Sequence, residues 1–268
     1  MPWLWLAPSR PSPKHHPIEP QILMSTAAEV KQDLAAFARP EKEATFSWFF
    51  KTGPGQYGEG DVFIGAKVPE TRSVAAKHKG LPQHEIDELL ASEVHEHRQC
   101  GLFIMVNRFK RTKAAAEQQE MFDHYLQLLH EGRVNNWDLV DATAPYLGAF
   151  LIGKPDAMDL LQRLAQSDSL WERRAAIIFT FAFIRADKQG FENFDLEPTW
   201  AIAEMLLADK HDLIHKAVGW MLREAGKRDV EKLREFLGRF AATMPRTALR
   251  YSIEKLDQTE RKYWLSVG

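Results

Sequence analysis

Trp137 and Asp141 stand four residues apart in the stretch Asn136-Trp137-Asp138-Leu139-Val140-Asp141. In a helix, positions i and i+4 share a face, so an indole plane and a carboxylate would project side by side. An apolar ring next to a negative charge suits a reaction that develops positive charge beside a sugar ring. Three more residues could join them. Arg174 and Trp220 hold nearly corresponding places in two later segments, and Arg223 lies three residues past Trp220 on a neighbouring part of the same face. Brought together, these five would frame one carboxylate with two indoles and two guanidiniums. Each alone has a plainer explanation. A tryptophan of a helical protein usually packs in a core, an early acidic residue favours the helix dipole, and an arginine at a helix start can bridge neighbouring helices.

The elements that must position them are helical. Apolar residues recur at three-four spacing, and strand-like alternation is nearly absent. The chain also resembles itself. His97-Arg98-Gln99-Cys100-Gly101-Leu102-Phe103-Ile104, Arg173-Arg174-Ala175-Ala176-Ile177-Ile178-Phe179-Thr180 and His215-Lys216-Ala217-Val218-Gly219-Trp220-Met221-Leu222 share one scheme, and Arg246 to Ile253 is a weaker copy. The first three each follow a short apolar helix (Ile86 to Ala91, Met158 to Ala165, Ile202 to Ala208). Such recurrence marks an all-α solenoid of HEAT-like helix pairs, which curves and offers a concave face.

Local chemistry agrees with that assignment. Asn135 or Asn136 caps the helix carrying Trp137, and Ser169-Leu170-Trp171-Glu172 reads as a capping box. Pro145 lacks an amide hydrogen and should kink or interrupt its helix, freeing a carbonyl near Asp141. Lys51 to Lys67, rich in glycine, reads as a flexible loop between two helical regions. It is no phosphate-binding loop, because no Gly-Lys-Ser/Thr follows.

Composition narrows the class. The chain of 268 residues carries a formal charge of -2, so any surface for nucleic acid must come from uneven charge distribution. From Met205 onward 13 Lys and Arg face 9 Asp and Glu, a modest local excess. The run Arg108, Lys110, Arg111, Lys113 is either a solvated loop or a phosphate contact. The single cysteine, Cys100, excludes an intramolecular disulfide and a cysteine zinc cage, and points to a reducing cytoplasm. No apolar run is long enough for a membrane span. His95-Glu96-His97 with Cys100 lacks the geometry and ligand count of a metal site and reads as a solvated helix start. Residues 1–24, proline-rich, read as a disordered tail before a single domain over 25–268, with Met24 fitting a natural start.

Three motifs in order, Val134-Asn135-Asn136-Trp137-Asp138-Leu139-Val140-Asp141, Leu170-Trp171-Glu172-Arg173-Arg174, and Lys216-Ala217-Val218-Gly219-Trp220-Met221-Leu222-Arg223-Glu224, closely resemble the AlkD family of DNA alkylation repair glycosylases. The resemblance runs from about Ala44 to Leu256. It implies a HEAT-like fold that cradles duplex DNA and excises cationic alkylpurines such as 3-methyladenine and 7-methylguanine, with the base left in the stack. It also implies that Asp141, Trp137 and Trp220 are the catalytic set, and that Arg174 and Arg223 contact DNA. Lys227, Arg228 and Arg246, at turns between repeats, extend the expected basic stripe. The family's N-terminal tyrosine falls near Phe49 or Phe50, and Tyr57 is the hydroxyl nearest to hand. The expectation is a monomeric, monofunctional glycosylase needing no metal or organic cofactor. The alternative is a non-catalytic HEAT-like binder of damaged or branched DNA.

Overall fold

Apolar residues at helical spacing become fourteen α-helices among the residues described, 25–267, in the computed structural model. The expectations for residues 1–24 lie outside the described residues. The one isolated β-type pairing described is a parallel bridge between Val62 and Val94.

Helices α1 (Ala27–Ala35) and α2 (Pro40–Phe49) lead through the glycine-rich segment to α3 (Val68–Lys77). Pairs then follow: α4 (Gln83–Leu90) with α5 (His95–Arg111), α6 (Ala115–His130) with α7 (Trp137–Leu147), and α8 (Ala157–Ala165) with α9 (Leu170–Ile184). After them come α10 (Glu197–Leu206) with α11 (Asp212–Gly226), α12 (Val230–Phe240) with α13 (Arg246–Ser252), and a closing α14 (Gln258–Ser266). The second helix of each pair packs on the second helix of the next, α5 on α7, α7 on α9, α9 on α11 and α11 on α13. That succession is a helical-repeat fold.

The central helix shows why the array holds. Ala175 to Phe179 of α9 are fully buried in succession, because α7, α8, α10 and α11 all pack against it. A helix apolar on every side belongs in an interior. Each fully buried isoleucine or phenylalanine contributes about 1.5–3 kcal/mol. Two glycines set the closest approaches. A Cβ at Gly148 would lie 2.5 Å from the Phe179 carbonyl oxygen, and one at Gly219 would lie 2.5 Å from that of Ala248. Side chains at either point would push neighbouring helices apart.

The caps differ in detail from expectation. Asn136 is the cap of α7, its Oδ1 accepting from the Trp137 amide at 2.9 Å. Ser169 Oγ accepts from the Glu172 amide at 3.4 Å. Glu172, however, receives the Ser167 hydroxyl, and Ser167 Oγ in turn accepts from the Ser169 amide at 3.0 Å. The capping box therefore closes through a relay. Pro145 does not interrupt α7, which continues to Leu147 before tightening into a 3-10 turn at Gly148–Leu151. What Pro145 removes is the amide hydrogen that would have reached the Asp141 carbonyl.

Candidate active site

Asp141 lies on the second turn of α7, facing α9. Its Oδ1 accepts from Arg174 Nε at 2.9 Å and its Oδ2 from Nη2 at 2.7 Å. The remaining Arg174 nitrogen, Nη1, donates to the Leu213 carbonyl at the start of α11. Arg174 is only 4% exposed, so the arginine expected on the DNA backbone instead turns inward and holds the carboxylate. Burial pushes the Asp141 carboxyl above its ordinary value while the Arg174 guanidinium pulls it down. A two-bond pair with a guanidinium that never loses its proton keeps Asp141 ionised at neutral pH.

Asp141 borders a cleft of about 840 Å³. Trp220, Phe181, Tyr146 and Phe150 form aromatic walls, with Trp220 and Phe181 ring centres 5.8 Å apart. Arg72, Lys110, Lys113, Arg185 and Lys188 also line it, and Asp141 is the sole carboxylate among the lining residues. Two of these cations rest on the rings of the cleft. Lys110 Nζ lies 3.3 Å from the Tyr146 ring centre, and the Arg185 guanidinium carbon is 5.2 Å from that of Phe181. Such placement leaves a cation both anchored and accessible to an anion. The basic run after α5 thus divides. Lys110 and Lys113 enter the cleft, whereas Arg108 turns back to the Leu81 carbonyl and Arg111 to that of Lys79.

Trp137 is not in that cleft. As the first residue of α7 its Cα–Cβ bond leans toward the helix N-terminus, where α2 and the glycine-rich segment fold over it. Phe50 stacks on it with centroids 5.6 Å apart and planes 21° apart, and Phe49 meets it edge-on at 5.9 Å. The Tyr57 hydroxyl donates to the Phe49 carbonyl at 3.5 Å, and its ring packs edge-on against Trp171 at 5.8 Å. A phenylalanine therefore fills the position expected for a tyrosine, and Tyr57 brings a hydroxyl from the adjoining segment.

The outer basic residues stay with intramolecular partners. Arg223 pairs with Glu254 and Lys227 with Glu224 at 2.7 Å. Arg228 pairs with Asp187 at 2.7 Å, and Arg246 donates to the Leu265 carbonyl at 2.7 Å. None of the four lines the cleft. Asp141, held by Arg174, lines one cleft with Trp220, whereas Trp137 and this basic group are not among its lining residues.

Sequence spacing missed one cluster altogether. His95 and Glu96 are buried instead of solvated, and the glycine-rich segment is pinned to them. Val62 accepts from the His95 amide at 2.8 Å, and the Glu96 carboxylate receives the amides of Ile64 and Gly65 at 3.1 and 2.9 Å. The helix start thereby spends its unpaired amides and first-turn acid on the loop. The available signal was the density of polar residues, His95, Glu96, Arg98 and Gln99, entering a helix otherwise buried. Cys100 is also sealed, its thiol pushed up to about 12 by burial, which leaves it unreactive.

The chain is thus a helical-repeat array with a cation-lined, aromatic cleft that holds one carboxylate. The sequence model of a family described as DNA alkylation repair enzyme matches residues 30–256, and the chain belongs to that family. Among solved structures, one described as a predicted DNA alkylation repair enzyme from Enterococcus faecalis is similar in fold. Its TM-score is 0.61 at 16% identity, over 82% of this chain and 97% of that one. A search of curated proteins finds no match. No helix among the described residues is long and apolar enough to cross a membrane.

Proposed function

We propose that the protein is a monofunctional DNA glycosylase that hydrolyses the N-glycosidic bond of cationic alkylpurines, 3-methyladenine and 7-methylguanine, in duplex DNA. The observation that carries this is Asp141: one ionised carboxylate, fixed by Arg174, in a cleft otherwise cationic and aromatic. An alkylated purine already bears positive charge. When the bond from sugar C1′ to the purine nitrogen breaks, its electron pair neutralises the departing base, and no acid is needed to protonate it. The sugar becomes oxocarbenium-like, as in glycoside hydrolysis, and a fixed carboxylate stabilises that charge without reorganising. Water adds to C1′, releases a proton to solvent, and leaves an abasic site.

The lining cations suit phosphates flanking the lesion, a salt-dependent contact that positions the duplex. Trp220 supplies the electron-rich face beside the cationic sugar and base, worth about 0.5–2 kcal/mol. A wide cleft with its carboxylate at the wall suits attack on a base that stays stacked better than capture of an extruded one. Arg223, Lys227, Arg228 and Arg246 would reach the backbone after exchanging their carboxylate or carbonyl partners for phosphate. The test is release of 7-methylguanine and 3-methyladenine from methylated duplex DNA by the wild type and Asp141→Asn. Release by the wild type alone is expected. Tight DNA binding without release by either would instead select a non-catalytic binder.

A further inference from the structure

Beneath Trp137 lies a buried ionic cluster that the chemistry above leaves unused. His95 is 1% exposed. Its Nδ1 lies 3.2 Å from Asp61 Oδ2 and its Nε2 2.9 Å from Asp138 Oδ2. Ionised carboxylates only accept hydrogen bonds, so both ring nitrogens donate and the ring is an imidazolium. Arg98 and Asn135 donate to the other oxygen of Asp61 at 2.6 and 2.8 Å, and Gln99 donates to Asp138 at 2.8 Å. Two cations thus balance two anions. The third acid nearby, Glu96, is occupied by backbone amides.

The same ring belongs to an aromatic cluster. Phe63 stacks on it at 4.6 Å and 26°, and Phe50 lies 5.2 Å away. Phe50 stacks on Phe63 at 4.9 Å and on Trp137 at 5.6 Å. A cationic ring favours the electron-rich faces beside it. Contact therefore runs unbroken from His95 through Phe50 to the indole.

We propose that His95 is a positioning residue: by joining Asp61 to Asp138 it clamps the glycine-rich segment onto the first turn of α7 and seats Phe50 against Trp137. The consequence for rate rests on the glycosylase reading. Asp138 also lies one turn before Asp141, and its charge works against ionisation of Asp141. The His95 cation offsets that charge. Burial opposes the imidazolium, but Asp138 and Asp61 outweigh it and raise His95 to about 9. Above that pH one ring nitrogen becomes an acceptor facing a carboxylate, and the clamp opens.

The experiment compares the full-length wild type with His95→Gln. For the variant, kcat for base release should fall about tenfold with DNA affinity unchanged, as expected when a reacting group is misplaced but the duplex still binds. Wild-type kcat should decline through an alkaline limb near pH 9 that the variant lacks. A second readout is the indole N–H resonance of Trp137, assigned by its loss in Trp137→Phe. It should shift through the same pH in the wild type and be displaced in His95→Gln. Wild-type kcat in the variant, or an indole resonance indifferent to pH and substitution, would overturn the proposal. Should His95→Gln fail to fold, Phe50→Leu leaves the ionic cluster whole and carries the test. A displaced resonance supports the aromatic path from His95 to Trp137, and an unmoved one sinks it. If the wild type releases no base, the glycosylase reading fails, and the resonance still decides the role of His95.

Discussion

Asp138 and Asp141 occupy successive turns of one helix, and each is paired with a cation. Asp141 gives both oxygens to a single arginine and borders the cleft. Asp138 turns one oxygen to both His95 and Gln99 and lines no part of that cleft. The first arrangement fixes direction and leaves the carboxylate beside space that a substrate can enter. The second ties three separate segments of chain into one knot. The same residue type serves chemistry or architecture according to what closes over it.

The contrast is breakable at several points. Asp141→Asn keeps shape but removes the charge, so base release should fall about a hundredfold to a thousandfold, with DNA binding unchanged and a lowered unfolding temperature, because the buried Arg174 loses its counter-charge. If that variant turned over normally, the division of labour would be wrong. Asp138→Ala leaves His95 without one of its anions. Removing one partner of a buried pair costs about 3 kcal/mol or more, which urea unfolding would register; a change below about 0.5 kcal/mol, the ordinary surface value, would count against the knot. Arg174→Lys keeps the charge beside Asp141 but loses the two-bond geometry. We expect roughly a tenfold slower chemical step, about 1.4 kcal/mol, in single-turnover kinetics, with little change in DNA affinity.

Two smaller effects sharpen the comparison. His95 is raised to about 9, so its contribution to stability is complete below its ordinary value of 6.5 and is lost as pH rises through 9. His97 is lowered to about 4 by burial, so its contribution holds above 6.5 and is lost as pH falls through 4. Unfolding free energy should decline on both sides of a range near pH 6.5, and His95→Gln should abolish only the alkaline decline. Finally, Lys113→Ala should reduce the slope of log affinity against log salt by about 1. An unchanged slope would remove Lys113 from the phosphate path.

Much of this was legible in the chain itself. Three-four spacing and the recurring basic-small-small-apolar scheme gave the helix pairs, because a repeat that buries one stripe on its neighbours must keep that stripe in sequence. Trp220 and Asp141 line the same cleft. Arg174 did not go where expected. Spacing assigns a side chain to a face, and α9, packed on both sides, turns that face toward α7. Arg174 aligns in the repeat with Lys216, not with Trp220, so the supposed equivalence of Arg174 and Trp220 was off by one turn. The His95 cluster was illegible for another reason. Its partners Asp61 and Asp138 lie 34 and 43 residues away, and no local pattern announces a contact made across that distance.

The cleft also has a consequence at the bench. The whole chain carries 37 acidic against 35 basic residues, with a pI near 6.6, yet the cleft holds five cations to one carboxylate. The molecule is an ampholyte whose charges are sorted by location. An anion exchanger at pH 8 should retain it through its outer surface, while immobilised heparin, a polyanion, should retain the same protein through its cleft.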